Sequence, residues 1–291
     1  MLANNYQSYI DWATRYIESQ QEKDGTFPFF WSTVNHWDSI DWTTACMGSS
    51  LFTVIKDPAH PSINKAKEAL VKLQRKDGGW AYNGSVPSDP DSTLRVLQFF
   101  QKISLADSQI FESGYNFIVS HQDPITGWIR TYTPERLANM GYQWGGWDQP
   151  HMCVSALAYS ILPDSPYREK VRNFLEESIN NASTHPYWWT IGNYTRWELR
   201  KFWIGMESPW EDAVDLSLSL MGTQWNTRHD IMRLLSLFQE DGSVQGSKIF
   251  HIPKPNFPPW MIPPEHRVIE DDKRMFSTAT ASVALYHLAY K

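Results

Sequence analysis

A turn that recurs along the chain restricts its fold more than any other feature. It is complete at Gln74-x-x-Asp77-Gly78-Gly79-Trp80 and close at Gln21-x-x-Asp24-Gly25-x-Phe27, and it returns in part at Gln122–Trp128 and at Asp241–Val244. Before each turn, apolar residues fall at helical spacing: Tyr9, Ile10, Ala13, Tyr16 and Ile17 in one segment, Ala66, Leu70 and Leu73 in the next. After it comes an irregular loop and a second helix rich in Thr, Ser, Ala and Leu: TTAC from Thr43, STLRVL from Ser92, CVSALAYSIL from Cys153, STATASVAL from Ser277. The unit is therefore a helix pair repeated every roughly 45–55 residues. The spacing predicts helices over 4–21, 41–55, 61–75, 89–103, 107–121, 149–162, 165–181, 209–222, 226–240 and 276–290, with a helical stretch ending near Phe202. Residues 191–222 do not divide cleanly into a first and a second helix.

Strand signal is slight, so the expected class is all-α. The first helices are amphipathic, as an outer layer must be, and the small residues of the second helices allow close packing around an axis. Helix pairs of this kind form either an open solenoid or a closed α/α toroid, and about five or six pairs favour closure. The expectation is one α/α barrel domain over residues 1–291.

Composition narrows the function. A net charge of -6 favours neither nucleic acid nor an anionic membrane surface. Cys46 and Cys153, far apart on expected helices, read as reduced and buried, which suits a cytoplasmic protein. The N-terminus lacks a basic region followed by an apolar run, and no apolar stretch is long enough to span a membrane. The 15 Trp, 13 Tyr and 14 Phe require either a large core or a large aromatic-lined cavity.

The complete turn leads into Asp89-Pro90-Asp91-Ser92-Thr93, the opening of a second helix. Asp89 or Ser88 can cap that helix and Pro90 suits its first position. The plain reading makes Asp89 an N-cap and Asp91 a first-turn carboxylate complementing the helix dipole. The repeated turns resemble the motif of the squalene cyclase and prenyltransferase superfamily, and the Asp/Ser/Thr cluster resembles the Asp-x-Asp-Asp-Thr motif of class II terpene cyclases. That resemblance implies an α6/α6 barrel with a cavity near the N-termini of the inner helices. It also implies that Asp91 is the proton donor and Asp89 its supporting carboxylate, acting on a linear, hydrophobic isoprenoid.

The chemistry is coherent with these residues. Protonating an alkene needs an acid that keeps its proton, and two adjacent carboxylates cannot both ionise cheaply. Ser92 and Thr93 can hydrogen-bond the carboxylate left behind. The carbocation needs a dry cavity, and aromatic faces stabilise it by about 0.5–2 kcal/mol each. Trp42, Trp80, Tyr82, Trp144, Trp147, Trp188, Trp189 and Trp210 lie in loops or near second-helix starts and can line such a cavity, though each is also an ordinary core candidate. Asp41 and Glu211-Asp212 open second helices, with capping as their default role. His151 opens another, either facing the acid or satisfied in the core. Asp148, His151 and Cys153 do not reproduce the zinc pattern of the prenyltransferase β subunits, so no metal is expected. Asp271-Asp272 lacks the second half of a magnesium motif, and Mg2+ would enter only with a diphosphate substrate. Only Arg75, Lys76 and Arg95 lie near the motif as bases.

Two other readings remain at this level: a carbohydrate-active α/α barrel with paired carboxylates, and a non-catalytic toroid that binds a lipid or a protein. A partner chain or homodimer could complete the site. The proline-rich segment 249–264 excludes regular helix or strand and is expected to be a lid, a peripheral membrane contact or an outer strap.

Overall fold

The computed structural model describes residues 3–32, 37–141, 146–181, 186–202, 205, 212–222, 227–251 and 268–290. It is mostly helical: α1 (Ala3–Ser19), α2 (Asp41–Ile55), α3 (Pro61–Leu73), α4 (Pro90–Lys102), α5 (Gln109–Ser120), α6 (Pro134–Asn139), α7 (Met152–Ile161), α8 (Pro166–Asn180), α9 (Gly192–Glu198), α10 (Ala213–Gly222), α11 (Arg228–Ser236) and α12 (Met275–Tyr290). Six of them pack in a circuit that returns to its start, α2 on α4, then α7, α9, α10, α12 and back to α2. Their small residues let them bury nearly every face: every residue of α10 from Ala213 to Met221 is buried. The others lie outside, α1 on α12 and α2, α3 on α2, α5 on α4, α8 on α7, α11 on α10. Each outer helix buries only a stripe, such as Ile63, Ala66, Ala69 and Leu70 of α3 or Val171 and Leu175 of α8. The ambiguous segment 191–222 supplies two consecutive inner helices, α9 and α10. Between them the described residues include a short 3-10 helix, Leu199–Phe202.

The recurring turn is wired alike in the first three repeats, whereas Gln239 of the fourth donates to the Leu237 carbonyl at 3.1 Å. The Gln21 side-chain amide donates to the carbonyls of Gly25 and Ser62 at 3.0 and 2.9 Å, that of Gln74 to Gly78 and Ile110 at 2.8 Å each, and that of Gln122 to Gly127 and Tyr167 at 3.0 and 2.8 Å. The sequence reads Gln74 and Trp80 as structural turn residues that tie an outer helix to the next inner one, and Trp80 does this: its indole donates to the Leu70 carbonyl of α3 at 2.7 Å and its backbone N–H to the Thr93 hydroxyl of α4 at 2.9 Å. The glutamine amide, besides its bond within the turn, reaches the first turn of the next outer helix. The link to the inner helix is made by a hydroxyl: Thr44, Thr93, Ser155 and Thr278 accept from the backbone N–H of Phe27, Trp80, Ile129 and Val244 at 2.9–3.0 Å. The turn glycine is left-handed, with φ +86° at both Gly78 and Gly242. A Cβ on Gly78 would lie 2.5 Å from the carbonyl oxygen of Ser113, and one on Gly242 2.7 Å from that of Trp12. The last turn therefore docks on the first helix, closing the outer layer at α1 as well.

The mostly helical chain agrees with the expected all-α class, and two short antiparallel ribbons accompany the helices: β1 (Phe29–Ser32) with β2 (Trp37–Ser39), and β3 (Lys248–His251) with β4 (Val268–Glu270). The strand β3 falls inside the segment expected to exclude strand. It ends before Pro253, the first residue there unable to donate to a ladder. The proposed lid, 252–264, lies outside the described residues. Cys46 and Cys153 are buried and unpaired with each other, as expected. Among the described residues no helix is long and apolar enough to cross a membrane.

Candidate active site

The hydroxyl wiring puts the inner helices in register. Counting back two residues from Thr44, Thr93, Ser155 and Thr278 gives Trp42, Asp91, Cys153 and Phe276. These side chains converge. The Trp42 and Phe276 rings are 5.5 Å apart, the Trp42 indole N–H approaches Asp91, and burial followed by the Asp91 charge pushes the Cys153 thiol up to about 11. One of the four equivalent positions thus carries an acid where the others carry tryptophan, cysteine and phenylalanine.

The two carboxylates of the motif have different surroundings. Asp89 is the N-cap of α4. It accepts from the Ser92 N–H at 2.8 Å, the Ser92 hydroxyl at 2.9 Å and the Tyr82 N–H at 3.1 Å. Asp91 keeps part of its surface open although protein surrounds it on all sides. The Trp42 indole N–H, which has no other acceptor, falls short of a full hydrogen bond to it. Burial raises Asp91 to about 6, with Arg95 opposing and Glu198 adding to the rise. Burial raises Asp89 to about 7, opposed by its Ser92 bonds and assisted by the charges of Asp91 and Asp41. Asp41, bound to the Ala81 N–H at 2.9 Å, is raised to about 6 by burial. Carboxylate crowding therefore exists, but burial is the larger cause, and the charges acting on Asp91 are chiefly Arg95 and Glu198.

Ser92 and Thr93 do not serve Asp91. Ser92 is committed to Asp89, and Thr93 both accepts from the Trp80 N–H and donates to its carbonyl. The sequence reading assigned them to the acid because they adjoin it, but a helix turns adjacent residues to different faces. Four residues past Asp91, on its own face, lies a network the sequence reading did not find. The Arg95 guanidinium meets Glu198 at 3.2 Å, Gln98 at 2.9 Å and the Tyr194 hydroxyl, and Ser160 donates to the other Glu198 oxygen at 3.3 Å. The i,i+4 spacing of Asp91 and Arg95 was the available signal.

The aromatic residues divide into two groups. Phe30, Trp42, Trp189, Phe250 and Phe276 pack together beside Asp91 with ring centroids 4.3–6.1 Å apart, and Trp189 stacks on Tyr194. Phe30 and Phe250 come from the ribbons, which carry them over the ends of the inner helices. The second group joins Trp147, Trp188, Tyr187, Tyr132 and His151. Tyr82 donates its phenol to the Phe30 carbonyl and Trp80 its indole to the Leu70 carbonyl at 2.7 Å, so both are structural. Trp144, Trp210 and Glu211 lie outside the described residues. His151 takes the core role: one ring nitrogen meets Thr131 at 2.6 Å, the other the Gly146 carbonyl at 2.7 Å, and burial lowers its pKa to about 3. With both nitrogens engaged it offers no lone pair to a metal, and among the described residues no group of three His, Cys, Asp or Glu is arranged to hold one. Asp212 and Asp271 cap their helices, accepting from Val214 at 2.8 Å and Ser277 at 2.7 Å.

No protein-family model matches the chain, and no curated protein matches it by sequence. Among solved structures it is similar to the type II terpene cyclase MstE from Scytonema. A variant of that enzyme bound to its product, merosterolic acid A, superposes with a TM-score of 0.81 at 20% identity, covering 99% of this chain and 98% of the other. A variant bound to its substrate, geranylgeranyl dihydroxybenzoate, gives the same values. A protein from Actinoplanes follows with a TM-score of 0.77 at 19% identity, covering 98% of this chain and 99% of the other. From end to end, the chain has the fold of a type II terpene cyclase.

Proposed function

We propose that this chain is an enzyme of the class II terpene cyclase kind, a single α6/α6 barrel domain that cyclises a linear isoprenoid by protonating it. The observation that carries the reading is the setting of Asp91. Its carboxyl occupies a ring-facing position, is raised by burial, is free of the capping bonds that hold Asp89, and lies beside the Phe30, Trp42, Trp189, Phe250 and Phe276 cluster. An acid so placed can transfer its proton to the terminal alkene. The π electrons form the new C–H bond and leave a tertiary carbocation, which the next alkene attacks. The cation advances toward the aromatic faces and away from the Arg95 charge, because each aromatic face lowers its energy and Arg95 raises it. Proton loss or capture by a nucleophile ends the sequence. Asp89, fixed as the cap, keeps a second carboxylate close by, which disfavours ionisation of the pair. The initiating step needs no cofactor, and Mg2+ would enter only with a diphosphate substrate. In this reading the protein acts in the cytoplasm on a hydrophobic small molecule.

The test is to incubate the purified protein with geranylgeranyl dihydroxybenzoate and with linear polyprenyl alcohols, and to look for cyclised products by mass spectrometry and NMR. Asp91→Asn keeps the shape and removes the acid. It should lower turnover by at least ~10²–10⁴-fold, the usual contribution of a general acid. Wild-type rates in Asp91→Asn would return both carboxylates to the role of helix caps.

A further inference from the structure

We propose that Glu198, acting through Arg95, is a positioning residue that keeps Asp91 in its proton-bearing form. This rests on the role given to Asp91 above. An arginine one turn from a buried carboxylate, on the same helix face, would ordinarily hold that carboxylate ionised. An ionised Asp91 has no proton to give. The structure turns the guanidinium elsewhere. One terminal nitrogen donates to Gln98 at 2.9 Å and the other to the Tyr194 hydroxyl and to Glu198 at 3.2 Å. Glu198 and Arg95 are both buried, and Ser160 holds the second Glu198 oxygen at 3.3 Å. No hydrogen bond joins Arg95 to Asp91 among the described residues, and the Arg95 Nε–H has no partner. Glu198 thus cancels part of the Arg95 charge felt at Asp91, which favours the protonated acid.

The other groups facing Asp91 do not supply that cancellation. Trp42 and Cys46 come from α2, Cys153 from α7 and Tyr194 from α9, and burial holds Cys46, Cys153 and Tyr194 above their ordinary values and so neutral. Asp89 adjoins it on α4, with Asp41 beyond. Lys102, further along α4, is held by Thr53 at 2.9 Å and acts on Arg95 and Cys46. Glu198 is therefore the acidic group paired with the charge that threatens Asp91.

The test reads the Asp91 carboxyl directly, by infrared difference titration of the protein without substrate, with Asp91→Asn assigning the band. Glu198→Gln should lower the titration midpoint by about one pH unit or more, a tenfold change in proton affinity. Arg95→Gln should raise it. The double variant Arg95→Gln/Glu198→Gln leaves neither charge buried without a partner, so it remains informative if a single variant fails to fold. Its midpoint should lie above that of the wild type, since Arg95 acts on Asp91 more strongly than Glu198 does. An unchanged midpoint in Glu198→Gln, or a double variant whose midpoint is not below that of Arg95→Gln, overturns the proposal. A protein that shows these shifts but cyclises nothing loses the cyclase reading and keeps this electrostatic coupling, so the two failures are distinguishable.

Discussion

At the scale of single residues, Asp89 and Asp91 differ in what they hold. Asp89 carries three hydrogen bonds as a cap, whereas Asp91 is a half-buried carboxylate with almost none. Asp89→Ala should cost about 0.5–2 kcal/mol, the usual loss for an N-cap, whereas Asp91→Asn should be neutral or stabilising at pH 8 because it removes a buried charge. Urea denaturation of both variants checks this. The acid also sets a pH dependence. In the proposed reaction its active form is protonated, and burial raises its pKa to about 6. The rate constant kcat/KM should therefore be high below that pH and fall as pH rises through it, and a rate that rises over the same range would contradict the assignment. The pair of carboxylates could be read from the sequence, and so could their division of labour, since residues two apart on a helix point different ways. The Arg95–Glu198 pairing could not, because it joins residues on α4 and α9 that no local pattern connects.

At the scale of elements, the turn works as a connector. The amide of Gln74 makes two hydrogen bonds, one within its own turn and one to the start of α5. Gln74→Ala should cost about 1–3 kcal/mol, since each bond contributes ~0.5–1.5 kcal/mol net. Gly78→Ala should cost more than about 2 kcal/mol, because it adds a left-handed side chain and a collision with the Ser113 carbonyl. Both variants should leave the pH dependence of turnover unchanged, since neither residue touches the site. Thermal melts and rate profiles measured together would check both halves of that expectation. The repeats made the inner and outer helices legible to within a few residues, but not α6 (Pro134–Asn139), which the sequence reads as part of a long loop. The target of the glutamine was not legible, because sequence shows which turns recur but not which carbonyls lie within an amide's reach. The ribbons were missed because Phe29–Ser32 and Lys248–His251 are too short to show a period, and tertiary packing decides such segments.

At the scale of the whole molecule, closure joins the chain's two ends. The carbonyl of Trp12 abuts Gly242, Tyr16 donates to the Lys273 carbonyl at 2.8 Å, and α1 packs on α12. The count of helix pairs led the sequence reading to expect closure, while the contact between the first and last helices was hidden in ordinary residues of the first helix. A circuit of inner helices with acids at their starts has a consequence for stability. Burial raises Asp41 and Asp91 to about 6 and Asp89 and Asp271 to about 7, from 3.8. Between roughly pH 4 and 7 the folded chain therefore binds more protons at these groups than the unfolded chain does, and their contribution is lost as pH rises through the folded values. Two buried histidines oppose this. His121 is lowered to about 4 and His151 to about 3, so the unfolded chain gains protons there below about 6.5, and their contribution fades as pH falls. Four acids outweigh two histidines across that window. The melting temperature should thus be higher near pH 5 than near pH 8, the reverse of a protein governed by surface ion pairs. Asp271→Asn should narrow the difference without touching the acid site, because Asp271 caps α12 and lies outside the Asp89 and Asp91 motif. Melts of both proteins across that range decide it, and a wild-type melting temperature that climbs steadily from pH 5 to pH 8 would mean that the inner acids are already ionised in the folded chain.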